Sequence, residues 1–416
     1  MQGWTYGQTA KIPVPTSSTN GINNVTYVYA GTTNAGASYS SNIAPTEAGN
    51  YTVTATFAQT TNYNEVTVEY DFVISKVKVT EPTIAKDLKY TGKAQTGITA
   101  GSSYSLSGTA TATNAGNYTA TATLGNTANY EWADGTTSAK SYNWSIGKVK
   151  LTPTAIVENK VYDGTTNATG SIQLAGAVNN EKPTAIATYK FASAKAGEQK
   201  VNVTDITLGN SWTTNYELTT NKLETTATIE KQQLVVTKTN YTGIYDGKSH
   251  GITVTTEPSE NVEVYYATTA LTESNYNTTG STTPVTRKNA GTTTVYYYVK
   301  DLSGNYEDYS SSENTNNGTI TINKVILTPS ATVNSKEYDG TTNATGSIQL
   351  TGAVNNEAPT ATATFKFDSK QVGTAKGVTV TNITLGSTWT TNYTLSNTEL
   401  ALENGVITAK TVTPVA

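Results

Sequence analysis

Residues 48–65 read AGNYTVTATFAQTTNYNE. From Tyr51 to Phe57 the residues alternate strictly, with Tyr, Val, Ala and Phe on one face and Thr on the other. That two-residue period is the mark of a half-buried β-strand. Ala-Gly in front of the strand is a turn signal, and the Asn-Tyr behind it ends a second turn. The pattern returns at 115–132 as AGNYTATATLGNTANYEW and, further diverged, at 290–308 as AGTTTVYYYVKDLSGNYED. Helical periodicity of 3.6 residues is absent from the chain, and only Pro45–Ala48 invites a short helical turn.

A second repeat is tighter. NKVYDGTTNATGSIQLAGAVNNEK (159–182) recurs as SKEYDGTTNATGSIQLTGAVNNEA (335–358), and DITLGNSWTTNYEL (205–218) returns as NITLGSTWTTNYTL (382–395). These also end in Asn-Tyr, at Asn215-Tyr216 and Asn392-Tyr393, so all the copies read as variants of one plan. An Ile-x-Lys strand end at Ile74–Lys76, Ile146–Lys148, Ile229–Lys231 and Ile322–Lys324 marks the joints. It divides the chain into modules 1–76, 77–148, 149–231, 232–324 and 325–416. Many short strands in modules of this size predict an all-β chain of tandem Ig-like β-sandwiches, with a β-grasp-like module as the alternative. Joints without Gly/Ser-rich linkers predict an elongated, semi-rigid rod.

Composition agrees with strands. The 416 residues are 36% hydrophobic and 14% charged, with 27 Tyr and a net charge of −4. Tyr, Thr and Val suit a pleated, half-buried surface. No apolar run is long enough to span a bilayer, so membrane insertion is not expected within these residues, and a signal peptide or wall anchor is expected outside them. The slight acidity gives no basic stripe for nucleic acid. Cys is absent, which excludes disulfides and thiolate chemistry.

Gly3-Trp4-Thr5-Tyr6-Gly7, PTEAGNYTVTATFAQTTNYNE (45–65) and FVISK (72–76) resemble the MBG-type repeats of bacterial surface proteins. Lys160-Val161-Tyr162-Asp163-Gly164-Thr165-Thr166 and its copy at 336–342 resemble the YDG-type repeat of large bacterial adhesins. The resemblance implies an extracellular, cell-surface stalk that holds a distal functional domain away from the cell, and it brings no catalytic residues. The chain is accordingly expected not to be an enzyme and to need no cofactor. The fourth module departs most, with Ile244-Tyr245-Asp246-Gly247 in place of the Trp-Thr-Tyr-Gly opening.

Several residues bear on other chemistries. His250 is the only histidine and reads as a loop residue; Asp163 and Asp339 read as turn residues rather than a paired-carboxylate site. Asp134, Asp205, Glu307, Asp308 and Asp368 offer hard oxygen ligands for calcium, without a dense cluster. Lys76, Lys148, Lys231 and Lys324 sit where a Lys–Asn cross-link would replace the missing disulfides, or where a charge protects an edge strand. Asn167-Ala168-Thr169 is one of several glycan-acceptor triplets that an Asn- and Thr-rich chain forms by chance. Tyr265, Tyr296 and Tyr298 offer rings to a glycan or a host or neighbouring-cell protein, the adhesive alternative to a stalk. Self-association into fibres is a further expectation. Trp212 and Trp389 hold matching places in the two tight repeats, which favours a core or interface role.

Overall fold

A computed structural model describes residues 1–15 and 24–413. The regular secondary structure of the described residues is almost entirely strand; their helical segments are the single turns Asn210–Trp212 and Tyr276–Thr279. The chain divides into two compact units. The first holds residues 1–157, 168–190 and 201–225, and the second holds 158–167, 191–200 and 226–416.

In the first unit, Gly49–Phe57 is the middle strand of a five-stranded sheet ordered Trp4–Thr5, Val66–Ser75, Gly49–Phe57, Val25–Thr33, Ser38–Ser41. The alternation is realised: Tyr51, Val53 and Ala55 are buried, and Tyr51 and Val53 join Trp4, Tyr29, Phe72 and Ile74 in one core. Tyr51 stacks on Phe72 at 5.6 Å, the cross-strand pairing expected of aromatic neighbours. Further along, Leu88–Lys89, Lys140–Gly147, Gly116–Leu124 and Tyr104–Gly108 form a four-stranded sheet. A second layer contains Val77–Val79 paired in parallel with Tyr130–Trp132. Ala120, Ala122, Leu124, Trp132, Trp144 and Ile146 fill the core between them. Two sheets closing on one core make a sandwich.

The second unit repeats the architecture. Gly291–Asp301 is its first long central strand, pairing with Val262–Ala267 and Gly318–Asn323 over Val295, Tyr297, Val299, Ile320 and Ile322. Beyond it, a three-stranded layer (Gly346–Thr351, Val325–Val333, Tyr393–Leu395) faces a five-stranded one (Lys336–Glu337, Leu400–Thr408, Gly373–Leu385, Ala361–Phe367, Asn343–Ala344). The chain therefore starts in one layer at Val325–Val333 and changes layer at Lys336–Glu337, which pairs in parallel with Leu400–Thr408. With no helix to lie across a sheet among the described residues, the β-grasp alternative gives way to the sandwich.

One expectation is corrected. Pro45–Glu47 is not helical, and the Ala48 N–H donates to the side chain of Asn129 rather than back along a helical turn.

Candidate functional site

The residues at the ends of the sandwiches form one arrangement four times over. Each module sends a Tyr to its end on a short segment that pairs in parallel with the module's last strand. Tyr6, Tyr90, Tyr162, Tyr245 and Tyr338 donate their backbone N–H to Ser75, Gly147, Glu230, Asn323 and Thr408 at 2.8–3.0 Å. A glycine follows within two residues, and at Gly92 the reason is plain. Its φ is +74°, and a Cβ there would stand 2.7 Å from the Asn179 Cβ.

Against this end comes the Asn-Tyr turn of the following module. The Asn accepts two backbone N–H groups at once. Its side-chain Oδ1 takes the Ala N–H of the preceding module's Ala-Gly: Ala48 to Asn129 at 2.9 Å, Ala115 to Asn215 at 2.8 Å, Ala196 to Asn305 at 3.0 Å and Ala290 to Asn392 at 2.8 Å. Its backbone carbonyl takes the N–H of the first residue after the joint lysine: Val77, Val149, Gln232 and Val325, at 2.9–3.0 Å. The neighbouring Tyr then meets the end Tyr edge to face. The pairs are Tyr6–Tyr130 (5.6 Å), Tyr90–Tyr216 (5.5 Å), Tyr162–Tyr306 (5.4 Å) and Tyr245–Tyr393 (5.7 Å). Edge-on rings at this spacing are the arrangement their quadrupoles favour.

The lysines proposed for cross-linking are part of the same joint. Lys76, Lys148 and Lys324 donate Nζ to the carbonyls of Thr127, Thr213 and Thr390, each two residues before the joint Asn, at 2.8, 2.5 and 2.5 Å. Their partners are thus backbone carbonyls rather than Asn side chains. Lys231 stands exposed.

Two joints carry an additional clamp. Glu181 accepts the hydroxyls of Tyr90 and Tyr216, each at 2.6 Å. Glu357 does the same for Tyr245 (2.8 Å) and Tyr393 (2.6 Å). The hydrogen bond to Glu181, with burial behind it, pushes the Tyr90 phenol up to about 12. Burial, then the bond to Glu357, does the same for Tyr393, also to about 12. Trp212 and Trp389 flank Tyr216 and Tyr393 at 6.2 and 6.1 Å, which gives the matched tryptophans an interface place. The clamping glutamates end the repeated GAVNNE segment, whose recurrence was legible and whose role was not.

The remaining candidates lie apart from the joints or serve turns. Asp163 and Asp339 accept the N–H of Thr165 and Thr341, two residues on, at 2.8 and 2.9 Å. The ammonium groups of Lys160 and Lys336 hold the two carboxyls down, to about 2. His250 stacks on Tyr241 at 4.1 Å and hydrogen-bonds Asp246. Of the proposed ligand-stacking rings, Tyr298 is buried at 2% exposure, beneath Tyr276 at 4.6 Å. Tyr265 is half-buried and contacts Tyr276 edge-on, and Tyr296 is half-buried beside it. Burial of Tyr298 follows from the segment around Tyr276–Thr279, which covers a face that simple alternation would leave outward. Asp134 and Asp308 are paired with Lys140 and Lys300. No group of three acidic, His or Cys side chains converges among the described residues. No helix among them is long and apolar enough to cross a membrane.

No curated protein matches the sequence. Among solved structures, Drosophila N-cadherin EC1-4 aligns over 99% of this chain and 98% of its own, at 7% identity and a TM-score of 0.22. A SusE-like surface-located polysaccharide-binding protein of Bacteroides thetaiotaomicron aligns over 90% and 63%, at 10% identity and 0.16. Escherichia coli α2-macroglobulin activated by porcine elastase aligns over 92% and 41%, at 8% identity and 0.15. Likeness this weak carries no argument. The sequence comparison is more specific: residues 147–223 and 322–400 each match the YDG domain. The stretches that supply the clamping Glu181 and Glu357, with Tyr216 and Tyr393, are therefore YDG-type repeats.

Proposed function

We propose that this chain is the repeat region of a bacterial cell-surface adhesin, in which two YDG-type modules stand among three MBG-type ones as a stalk carrying a distal functional domain. One observation carries this reading: the Ala N–H to Asn Oδ1 bond recurs at four joints, always with a Tyr–Tyr contact beside it. An array whose task is reach needs joints that hold an angle. Each of these combines a bond to an otherwise unsatisfied amide, worth about 1 kcal/mol, with an aromatic contact of similar size. With strands of about ten residues at ~3.3 Å per residue plus loops, five modules end to end extend on the order of 200 Å.

Small-angle scattering of the whole chain tests this. A maximum dimension on the order of 200 Å, shortened and broadened when the four joint asparagines are changed to Ala, is the expected outcome. A compact particle with a maximum dimension under ~100 Å rejects the stalk.

A further inference from the structure

The two YDG-type modules carry one loop in the same form. Val178 to Glu181 and Val354 to Glu357 are β-turns, each closed by the Glu N–H to the Val carbonyl at 3.0 Å. The central residues, Asn179-Asn180 and Asn355-Asn356, all have φ between +53° and +57°. Two left-handed residues in succession are the pattern of a type I′ turn. The Val N–H anchors each turn to its own module, on the hydroxyl oxygen of Tyr216 (3.1 Å) and of Tyr393 (3.2 Å). The loop is thus fixed from within its own module.

What it meets on the preceding module is a Tyr-x-Gly tip. Glu181 and Glu357 take the tyrosine hydroxyls of Tyr90 and Tyr245. The first asparagine covers the glycine: a Cβ on Gly92 would stand 2.7 Å from the Asn179 Cβ, and one on Gly247 would stand 1.7 Å from the Asn355 Nδ2. Asn355 also donates to the Asp246 carbonyl. Tyr162-Asp163-Gly164 repeats the sequence of Tyr245-Asp246-Gly247 and its left-handed glycine, with φ +75° against +77°. Yet a Cβ on Gly164 would meet no described residue within 4 Å. The module that follows it connects the corresponding strands through residues 258–261, where the YDG-type modules use 176–184 and 352–360. Like tips meet unlike neighbours, and the loop makes the difference.

We propose that residues 176–181 and 352–357 select the module that precedes them, by recognising a Tyr-x-Gly tip whose glycine is left-handed. The phenol is read through a charge-assisted hydrogen bond. The glycine is read by exclusion, because any side chain there strikes the first asparagine. Selection belongs to loop and tip and does not depend on what the array carries, so its failure leaves the stalk untouched.

The test compares Gly92→Ala with Gly164→Ala in the full chain. Both place a methyl group on a residue with φ near +75°, so both bear the same backbone strain, but only the first meets Asn179. Hydrogen exchange reads the two joints through equivalent amides: Val149, bonded to the Asn215 carbonyl at 2.9 Å, and Gln232, bonded to the Asn305 carbonyl at 3.0 Å. Exchange at Val149 should quicken at least about tenfold in Gly92→Ala, and exchange at Gln232 by less than about twofold in Gly164→Ala. Asn179→Gly removes the opposing Cβ and keeps the left-handed turn. Added to Gly92→Ala, it should bring Val149 to within about twofold of Asn179→Gly alone. Equal acceleration at the two amides, or none at Val149, overturns the proposal. So does a Gly92→Ala chain that Asn179→Gly fails to rescue.

Discussion

The second and fourth joints differ from the first and third in one respect that reorganises everything near it. At Tyr90–Tyr216 and Tyr245–Tyr393 all four rings are buried, at 6%, 1%, 4% and 1% exposure. At Tyr6–Tyr130 and Tyr162–Tyr306 the rings are only half-buried. The buried pairs have a glutamate bridging their hydroxyls, and the half-buried pairs have none among the described residues. A phenol taken fully out of water needs a partner, or its desolvation works against the contact. The YDG-type repeat carries that partner in its own loop, so it makes a drier joint with whichever module precedes it. A shared backbone frame thus supports two grades of burial.

Removing the bridge should produce the largest change. Glu357→Leu strands two buried hydroxyls and is expected to cost about 2–3 kcal/mol, whereas Glu357→Gln, which keeps an acceptor, costs about 1 kcal/mol. Thermal unfolding of the full chain, followed by the transition that Glu357→Leu moves, checks this; equal effects from Leu and Gln would refute the clamp. Asn129→Ala comes next, at about 1–2 kcal/mol, because the Ala48 amide and the Glu47 carboxylate both lose a partner. Faster proteolytic cleavage at residues 76–77 is the readout, and an unchanged rate would make the bond incidental.

Alkaline pH should act on the clamps. The folded-state phenols of Tyr90 and Tyr393 sit above their ordinary value, at about 12. A folded pKa raised in this way contributes stability that is complete below the ordinary tyrosine range and is lost as pH rises toward about 12. Scattering across that window should report loosening, and Glu181→Gln with Glu357→Gln should move its onset to lower pH as the bonds weaken. The smallest effect belongs to the unclamped joints. Tyr6→Phe should stay within about 0.5 kcal/mol of the parent, because that hydroxyl bridges nothing, while Tyr90→Phe should cost about 1 kcal/mol. Reversal of that order would dissolve the distinction between the two classes of joint.

Much of the fold was legible. Alternation at Tyr51–Phe57 and Tyr118–Leu124 placed the central strands, and Tyr-Asp-Gly marked turns that do bend at Gly164, Gly247 and Gly340 with φ near +75°. The joint was visible only as its separate parts. Ala-Gly and Asn-Tyr were both read as turn signals, yet Ala48 meets Asn129 across 81 residues and Ala196 meets Asn305 across 109. Module lengths vary, so no fixed period connects the two halves. Glu181 and Glu357 gave no signal beyond repetition, because a carboxylate accepting two phenols looks in sequence like any loop acid. Tyr298 misled for the opposite reason: alternation assigns a residue to a face of its sheet and does not say what covers that face.

The Asn bond also imposes an order of completion. The Ala48 amide finds its acceptor only when residues near 129 have folded, and the same holds for Ala115, Ala196 and Ala290 with their successors. Each of the first four modules is therefore finished by the one that follows it, and synthesis delivers the N-terminal modules first. The chain matures forward along its sequence but one module behind, each arriving module sealing the amide its predecessor left open.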